Sequence, residues 1–283
     1  MIPAPPVALS IAGSDCSAGA GIQADLKTFQ HFRVHGLTAV TCVVSETAEV
    51  VRAVHPVPVN VVADQLSLML ESFPVAAIKT GMLYSAAHVE AVASILERQR
   101  LPRLVVDPVM VASTGDPLLE ADAVDAYRLR LLPLARLITP NLPEAEVLLG
   151  RGIRDAAGLE PAARELAAMF GTAVLLKGGH LEGDDCIDVL VEDGEVSRFT
   201  ARRIPLPGSH GTGCTFSAAI TAALAHGDHL ADAVARAKAF LGEALAGSYR
   251  FEASGGPRIH ALNQSTVRLP EMRDGRSDRI TIG

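Results

Sequence analysis

The chain has 283 residues, with 25 Lys and Arg against 32 Asp and Glu, a formal charge of -7, and almost half of it is apolar. That composition supports a sizeable buried core and excludes extended disorder, and the lack of a dense basic run excludes a nucleic-acid backbone as partner. Every apolar run is broken by charge, Pro or Gly well short of the roughly 20 residues a bilayer helix needs, so no membrane span is expected.

The opening "MIPAPPVALSIAG" lacks a basic leader and runs directly into a Gly-rich turn. It reads as a first buried strand rather than a signal peptide, and a cytoplasmic location is expected. From there the Val/Ile/Leu-rich runs "VALSIAG", "LTAVTCVV", "AAIKTG", "RLVVDPV", "RLITPN" and "AVLLKGG" alternate with helical patterns such as "GIQADLKTFQHF", "VNVVADQLSLMLESF" and "SAAHVEAVASILERQ". This rhythm predicts an α/β fold with a mostly parallel central sheet and helices on both faces. Near the C-terminus "CIDVLVEDGEVSRFTARRIPL" reads as two strands turning at Asp193-Gly194, an antiparallel C-terminal edge. Two Ala-rich helices follow, over 213–226 and 229–247. No linker interrupts residues 1–250, which read as one domain, and the polar segment 251–283 reads as a peripheral or partly disordered tail.

In such sheets ligands bind beyond the carboxyl ends of the strands. Residues there are Gly13-Ser14-Asp15, Ser45-Glu46, Lys79 to Met82, Asp107-Pro108, Thr139-Pro140-Asn141 and Lys177 to His180. The segment "AGSDCSAGAGIQADLK" has Gly19 and Gly21 at a helix start but no GxGxxG and no GxxxxGK[ST]. A dinucleotide fingerprint and a P-loop are therefore absent. "SHGTGCTFSAAI" carries more chemistry. Gly211 and Gly213 free the backbone where a helix begins, so N–H groups of residues 211–214 can converge as an anion hole for a phosphoryl group in transfer. Such a transfer also needs a divalent ion and a cation. Asp107, Asn141 and Glu144 are candidates to hold Mg²⁺ mainly through water, and Lys177 to meet phosphate.

Cys16, Cys42, Cys186 and Cys214 form neither a CxxC nor a zinc spacing. Cys42 and Cys186 lie in predicted strands and are expected in the core. Cys214, at a helix N-terminus that lowers a thiol's pKa, could be a nucleophile, a proton acceptor, a metal ligand or packing. His31 and His35 are spaced i,i+4 on a predicted helix but have no acidic partner, which favours surface or core roles over a metal pair.

Six ordered blocks, "IAGSDCSAGAGIQADLKTF", "IKTGML", "VVDPVMVASTGDPLL", "LITPNLPEAEVLLG", "VLLKGGH" and "HGTGCTFSAAI", resemble the hydroxymethylpyrimidine and phosphomethylpyrimidine kinases of thiamine biosynthesis, a branch of the ribokinase superfamily. The resemblance spans roughly residues 7–250. It implies a ribokinase-like fold and ATP-dependent phosphorylation of 4-amino-5-hydroxymethyl-2-methylpyrimidine and then of its monophosphate, with Mg²⁺, in a homodimer. It also implies roles for residues. Gly13, Ala20 and Asp25 border the pyrimidine; Val44, Met82 and Val109 line the ring; Glu46 reads its edge. Asp107 and Glu144 organise the metal, Asn141, Lys177 and Thr212 meet ATP, and Gly211, Thr212, Gly213 and Cys214 form the catalytic anion hole.

One stretch departs from the family pattern. Where the family has "QNT" followed by Gly-Val, this chain reads Glu46-Thr47-Ala48-Glu49-Val50-Val51. An ionised glutamate accepts but does not donate, which suits a ring presenting an exocyclic amine. Three other readings compete: a pyridoxal or pyridoxine kinase of the same branch, a non-catalytic ligand-binding homologue, and, weakest, a nicotinamide-dependent oxidoreductase.

Overall fold

β1 (Val7–Asp15) is buried at all but one position, because it is an interior strand with helices on both faces of its sheet. Val7, Leu9 and Ile11 feed one core and Ala8 the other, the period-2 alternation of a strand. The computed structural model describes residues 3–99, 103–110, 122–181, 183–206, 210–252 and 258–265. Within them β2 (His35–Thr47), β3 (Val50–Pro56), β4 (Val75–Thr80), β5 (Leu104–Val106), β6 (Leu137–Ile138), β7 (Ala173–Lys177), β8 (Asp185–Glu192) and β9 (Glu195–Arg202) join β1 in one sheet. Its order is β3-β2-β1-β4-β5-β6-β7-β8-β9. The run from β2 to β7 is parallel, and β3, β8 and β9 are antiparallel additions.

Helices α1 (Gly21–His31), α2 (Val59–Ser72), α3 (Ala86–Leu96), the short α4 (Ala123–Ala126), α5 (Leu142–Leu149), α6 (Leu159–Phe170), α7 (Thr212–His226) and α8 (Leu230–Ala246) divide between the faces. α2 through α6 pack on one core, and α1, α7 and α8 on the other. α7 is buried continuously from Thr215 to Ala225, and its Ala-rich sequence lets sheet and neighbouring helices approach on all sides.

The predicted hairpin is β8–β9, with Asp193 and Gly194 both at positive φ in its turn. An antiparallel edge was expected at the C-terminal side alone; β3 adds one at the other side. Its exposed, partly polar sequence carries no buried-strand signal. His35 opens β2, stacked on Phe73, and His31 packs on Phe240, so the two do not share a helix. The expected boundary at 250 falls inside β10 (Tyr249–Glu252), which pairs with β11 (Arg258–Ala261). Gln264, buried, then donates to Thr215 Oγ1 at 3.3 Å, tying this segment to α7. Residues 266–283 lie outside the described ones, as do 111–119 of the "VVDPVMVASTGDPLL" block and Ser209.

Candidate active site

The chain passes from β1 to β2 on one side and returns to β4 on the other, so the sheet's topological switch lies at β1 and β4. Their carboxyl ends open a crevice there. A cavity of about 400 Å³ occupies it, and a second of about 420 Å³ adjoins it, sharing Asn141, Lys177, His180, Thr212 and Gly213. The first cavity is lined by every predicted site residue except Asp25.

One wall is charged. Lys177, ending β7, pairs with Asp107 at 2.9 Å. Thr139 Oγ1 and Ser217 Oγ also donate to Asp107, each at 3.0 Å. Burial alone would raise the Asp107 carboxyl, but the ammonium groups of Lys177 and Lys79 hold it below the usual carboxylate range. Asn141 and Glu144 form a capping box at α5: Asn141 Oδ1 accepts from the Glu144 N–H at 2.9 Å, and Glu144 Oε2 from the Asn141 N–H at 2.8 Å. The motif from which ligand contact is expected thus starts a helix. Burial pushes Glu144 up to about 7, with Lys177 opposing and the charge of Asp107 adding.

Across from this wall α7 begins. Gly211 sits at φ +82 and no side chain caps the helix, so the N–H groups of its first turn are left for a ligand. A Cβ on Gly213 would stand 3.3 Å from Lys177 Nζ, which measures how closely the cation approaches that backbone.

The other end of the cavity is apolar. Val44 and Met82 pack with Cys42, and Val109 lies against them. A Cβ on Gly13 would stand 2.8 Å from Cys42 Sγ, so only glycine fits at that bend. Glu46 lines this end, and burial, with the charge of Asp15 adding, pushes it up to about 7.

Three predictions are corrected. Asp25 does not border the cavity: it is fully buried, accepts from Ser10 Oγ at 2.6 Å and pairs with fully buried Lys79 at 2.9 Å. One turn into α1, it faces the sheet rather than the crevice. Cys214 does line the cavity, but burial pushes its thiol up to about 11, outweighing the nearby Lys79 ammonium and the Gly21 N–H. A helix start lowers a thiol's pKa where solvent reaches it; here desolvation wins. Cys186 is half-buried and borders the second cavity, whereas Cys42 is core as expected.

Sequence reasoning gave no role to Asp15, His180 or His210, all of which line the first cavity. Asp15 and His180 fall on strand ends, and His210 directly precedes the Gly-rich helix start, so position was their only signal. Among the described residues no three His, Cys, Asp or Glu side chains are arranged to hold a metal ion by themselves.

With this geometry in place, comparison with known proteins is decisive. The sequence model of phosphomethylpyrimidine kinase matches residues 15–258. The chain belongs to the phosphomethylpyrimidine kinase family. A hydroxymethylpyrimidine/phosphomethylpyrimidine kinase of Haemophilus influenzae is 43% identical over 256 residues, 89% of this chain and 95% of that one. A thiamine biosynthesis bifunctional protein of Geobacter sulfurreducens is 44% identical over 92% of this chain, which spans about half (53%) of that longer relative. Among solved structures, pyridoxal kinase from Staphylococcus aureus in complex with AMP-PCP and pyridoxal superposes with a TM-score of 0.83 at 33% identity, covering 93% of this chain and 94% of that one. Family membership bears out the ribokinase-like fold and the kinase reading, and the curated relatives do not favour the pyridoxal kinase alternative.

Proposed function

We propose that this enzyme transfers the γ-phosphoryl group of ATP to the hydroxymethyl group of 4-amino-5-hydroxymethyl-2-methylpyrimidine, and then to the resulting monophosphate, for thiamine assembly. The observation that carries this reading is the join of the two cavities. The uncapped start of α7 and Lys177 stand at the join, with the second cavity on one side and the apolar end of the first on the other. In it Gly13, Ala20, Val44, Met82 and Val109 enclose the pyrimidine, Glu46 accepts from its exocyclic amine, and the hydroxymethyl group faces Cys214.

The nucleotide occupies the second cavity, with Asn141 and Thr212 beside its phosphates. The first-turn N–H groups of α7 and the Lys177 ammonium then meet the charge that develops on the transferred group. Asp107 and Glu144 fit a Mg²⁺ ion held largely through water, since two carboxylates share this wall and the charge of one raises the pKa of the other. Such an ion, when bound, neutralises phosphate charge. A loose transition state asks little of a base until bond formation is advanced, so Cys214 as a neutral thiol contributes chiefly by placing the alcohol.

Four unpaired cysteines fit a reducing cytoplasm, and no helix among the described residues is long and apolar enough to cross a membrane. Exposed Val43, Val50, Val61, Leu68 and Phe73, on and beside the β2–β3 edge, support a homodimer joined there. Cys214→Ser is expected to lower kcat far more than it weakens ATP binding, measured by initial rates and calorimetry. Unchanged kcat would reduce the thiol to packing. Asp107→Ala is expected to fold and to lose Mg²⁺-dependent turnover.

A further inference from the structure

The Gly-rich loop after β1 and the loop before α7 lie almost two hundred residues apart in sequence, yet one knot joins them. Asp15, 1% exposed, accepts from the N–H groups of Ser17 (2.7 Å), Gly19 (3.0 Å) and Ala20 (2.7 Å), and from His210 Nε2 at 2.9 Å. Burial works against the charge, but these donors hold the Asp15 carboxyl well below its usual range. An ionised carboxylate only accepts, so Nε2 carries the hydrogen. Ser17 Oγ lies 3.2 Å from the same nitrogen, while Nδ1 is enclosed without a partner. The backbones are equally close. A Cβ on Gly19 would stand 2.3 Å from His210 Cε1, and one on Gly211 would stand 1.9 Å from the Gly19 carbonyl oxygen. Asp15 therefore fixes the loop carrying Ala20 and Gly21, which line the alcohol side, and grips the residue that leads into the anion hole.

We propose that the Asp15–His210 pair is a latch coupling the two ligand sites: it holds the start of α7 in place when the Gly-rich loop is closed on the alcohol, so each ligand tightens the other. His210 is then a positioning residue, its Nε2–H engaged by Asp15 rather than by substrate. The inference rests on the kinase reading above.

Equilibrium binding of AMP-PCP, with and without saturating 4-amino-5-hydroxymethyl-2-methylpyrimidine, tests it. The wild type is expected to bind AMP-PCP at least about fivefold more tightly with the alcohol present. In His210→Ala that factor falls to about one and kcat drops about 10- to 100-fold, while each ligand alone still binds. His210→Gln, whose amide still donates to Asp15, retains the coupling. Gly19→Ala, which displaces the imidazole without removing it, loses it and serves if His210→Ala does not fold. Both ligands binding the wild type without mutual effect, or wild-type coupling in His210→Ala or Gly19→Ala, would overturn the latch alone. A wild type that binds neither ligand would overturn the kinase reading and the latch with it.

Discussion

Among the buried carboxylate–ammonium pairs of the described residues, two are each closed at 2.9 Å: Asp25 with Lys79, and Asp107 with Lys177. The first is sealed, both side chains at 0% exposure, with Ser10 from β1 as the further donor to Asp25. The second stands on the cavity wall, its lysine 13% exposed and next to the start of α7. Burial and pairing are thus shared by a pair sealed inside the fold and a pair on the cavity wall, where the proposed mechanism has its ammonium meet phosphate. Access to the cavity separates them, because only an ammonium that a phosphate can reach can stabilise charge in transfer.

Breaking the sealed pair gives the largest effect. Asp25→Ala leaves a fully buried ammonium without its counter-ion and is expected to cost about 3–5 kcal/mol in urea unfolding. Asp25→Leu combined with Lys79→Met restores most of that stability and keeps kcat within about tenfold of wild type, because a well-packed apolar pair replaces a desolvated ionic one. Failure of the double variant to recover would give the pair a role beyond packing.

Breaking the rim pair acts on turnover instead. Lys177→Met is expected to lower kcat by about 10²–10³ in initial-rate assays. Thr139 and Ser217 still donate to Asp107, so stability falls less than in Asp25→Ala. Glu46→Gln sharpens the contrast further. A carboxyl raised from 4.5 to about 7 favours the fold below its unfolded pKa, and that contribution is lost as pH rises through 7. Removing the charge should therefore raise the unfolding free energy at pH 8 by up to about 2 kcal/mol and leave it unchanged at pH 4. Equal effects at both pH values would exclude the burial of charge as the cause. The smallest effect belongs to Asn141→Ala, which removes one cap of α5 and costs about 1 kcal/mol in the same assay.

The two pairs also show how far the sequence could be read. Continuous apolar strands alternating with amphipathic helices were enough for a parallel sheet, since period and burial are local properties of the chain. The edge strand β3 was missed because a strand largely exposed at the sheet's margin shows neither a buried run nor a clean alternation. Position after a strand located Asp107, Lys177 and Glu46, whereas Asp25, inside a helix, was placed at the substrate by resemblance alone. Its true partner, Lys79, lies 54 residues away and belongs to β4, a pairing no local pattern encodes. His210 and Asp15 are 195 residues apart, and only the fold shows that they meet. The pKa of Cys214 follows the same rule, because desolvation is set by what packs over the thiol rather than by its neighbours in sequence.

Direct phosphoryl transfer to a pyrimidine alcohol is tested by the initial rate of ADP release by the purified chain with ATP and Mg²⁺, offered 4-amino-5-hydroxymethyl-2-methylpyrimidine, its monophosphate or pyridoxal. Turnover of the aminopyrimidine and of its monophosphate is expected, each lowered by about 10²–10³ in Lys177→Met. Turnover of pyridoxal with none of the aminopyrimidine would contradict it.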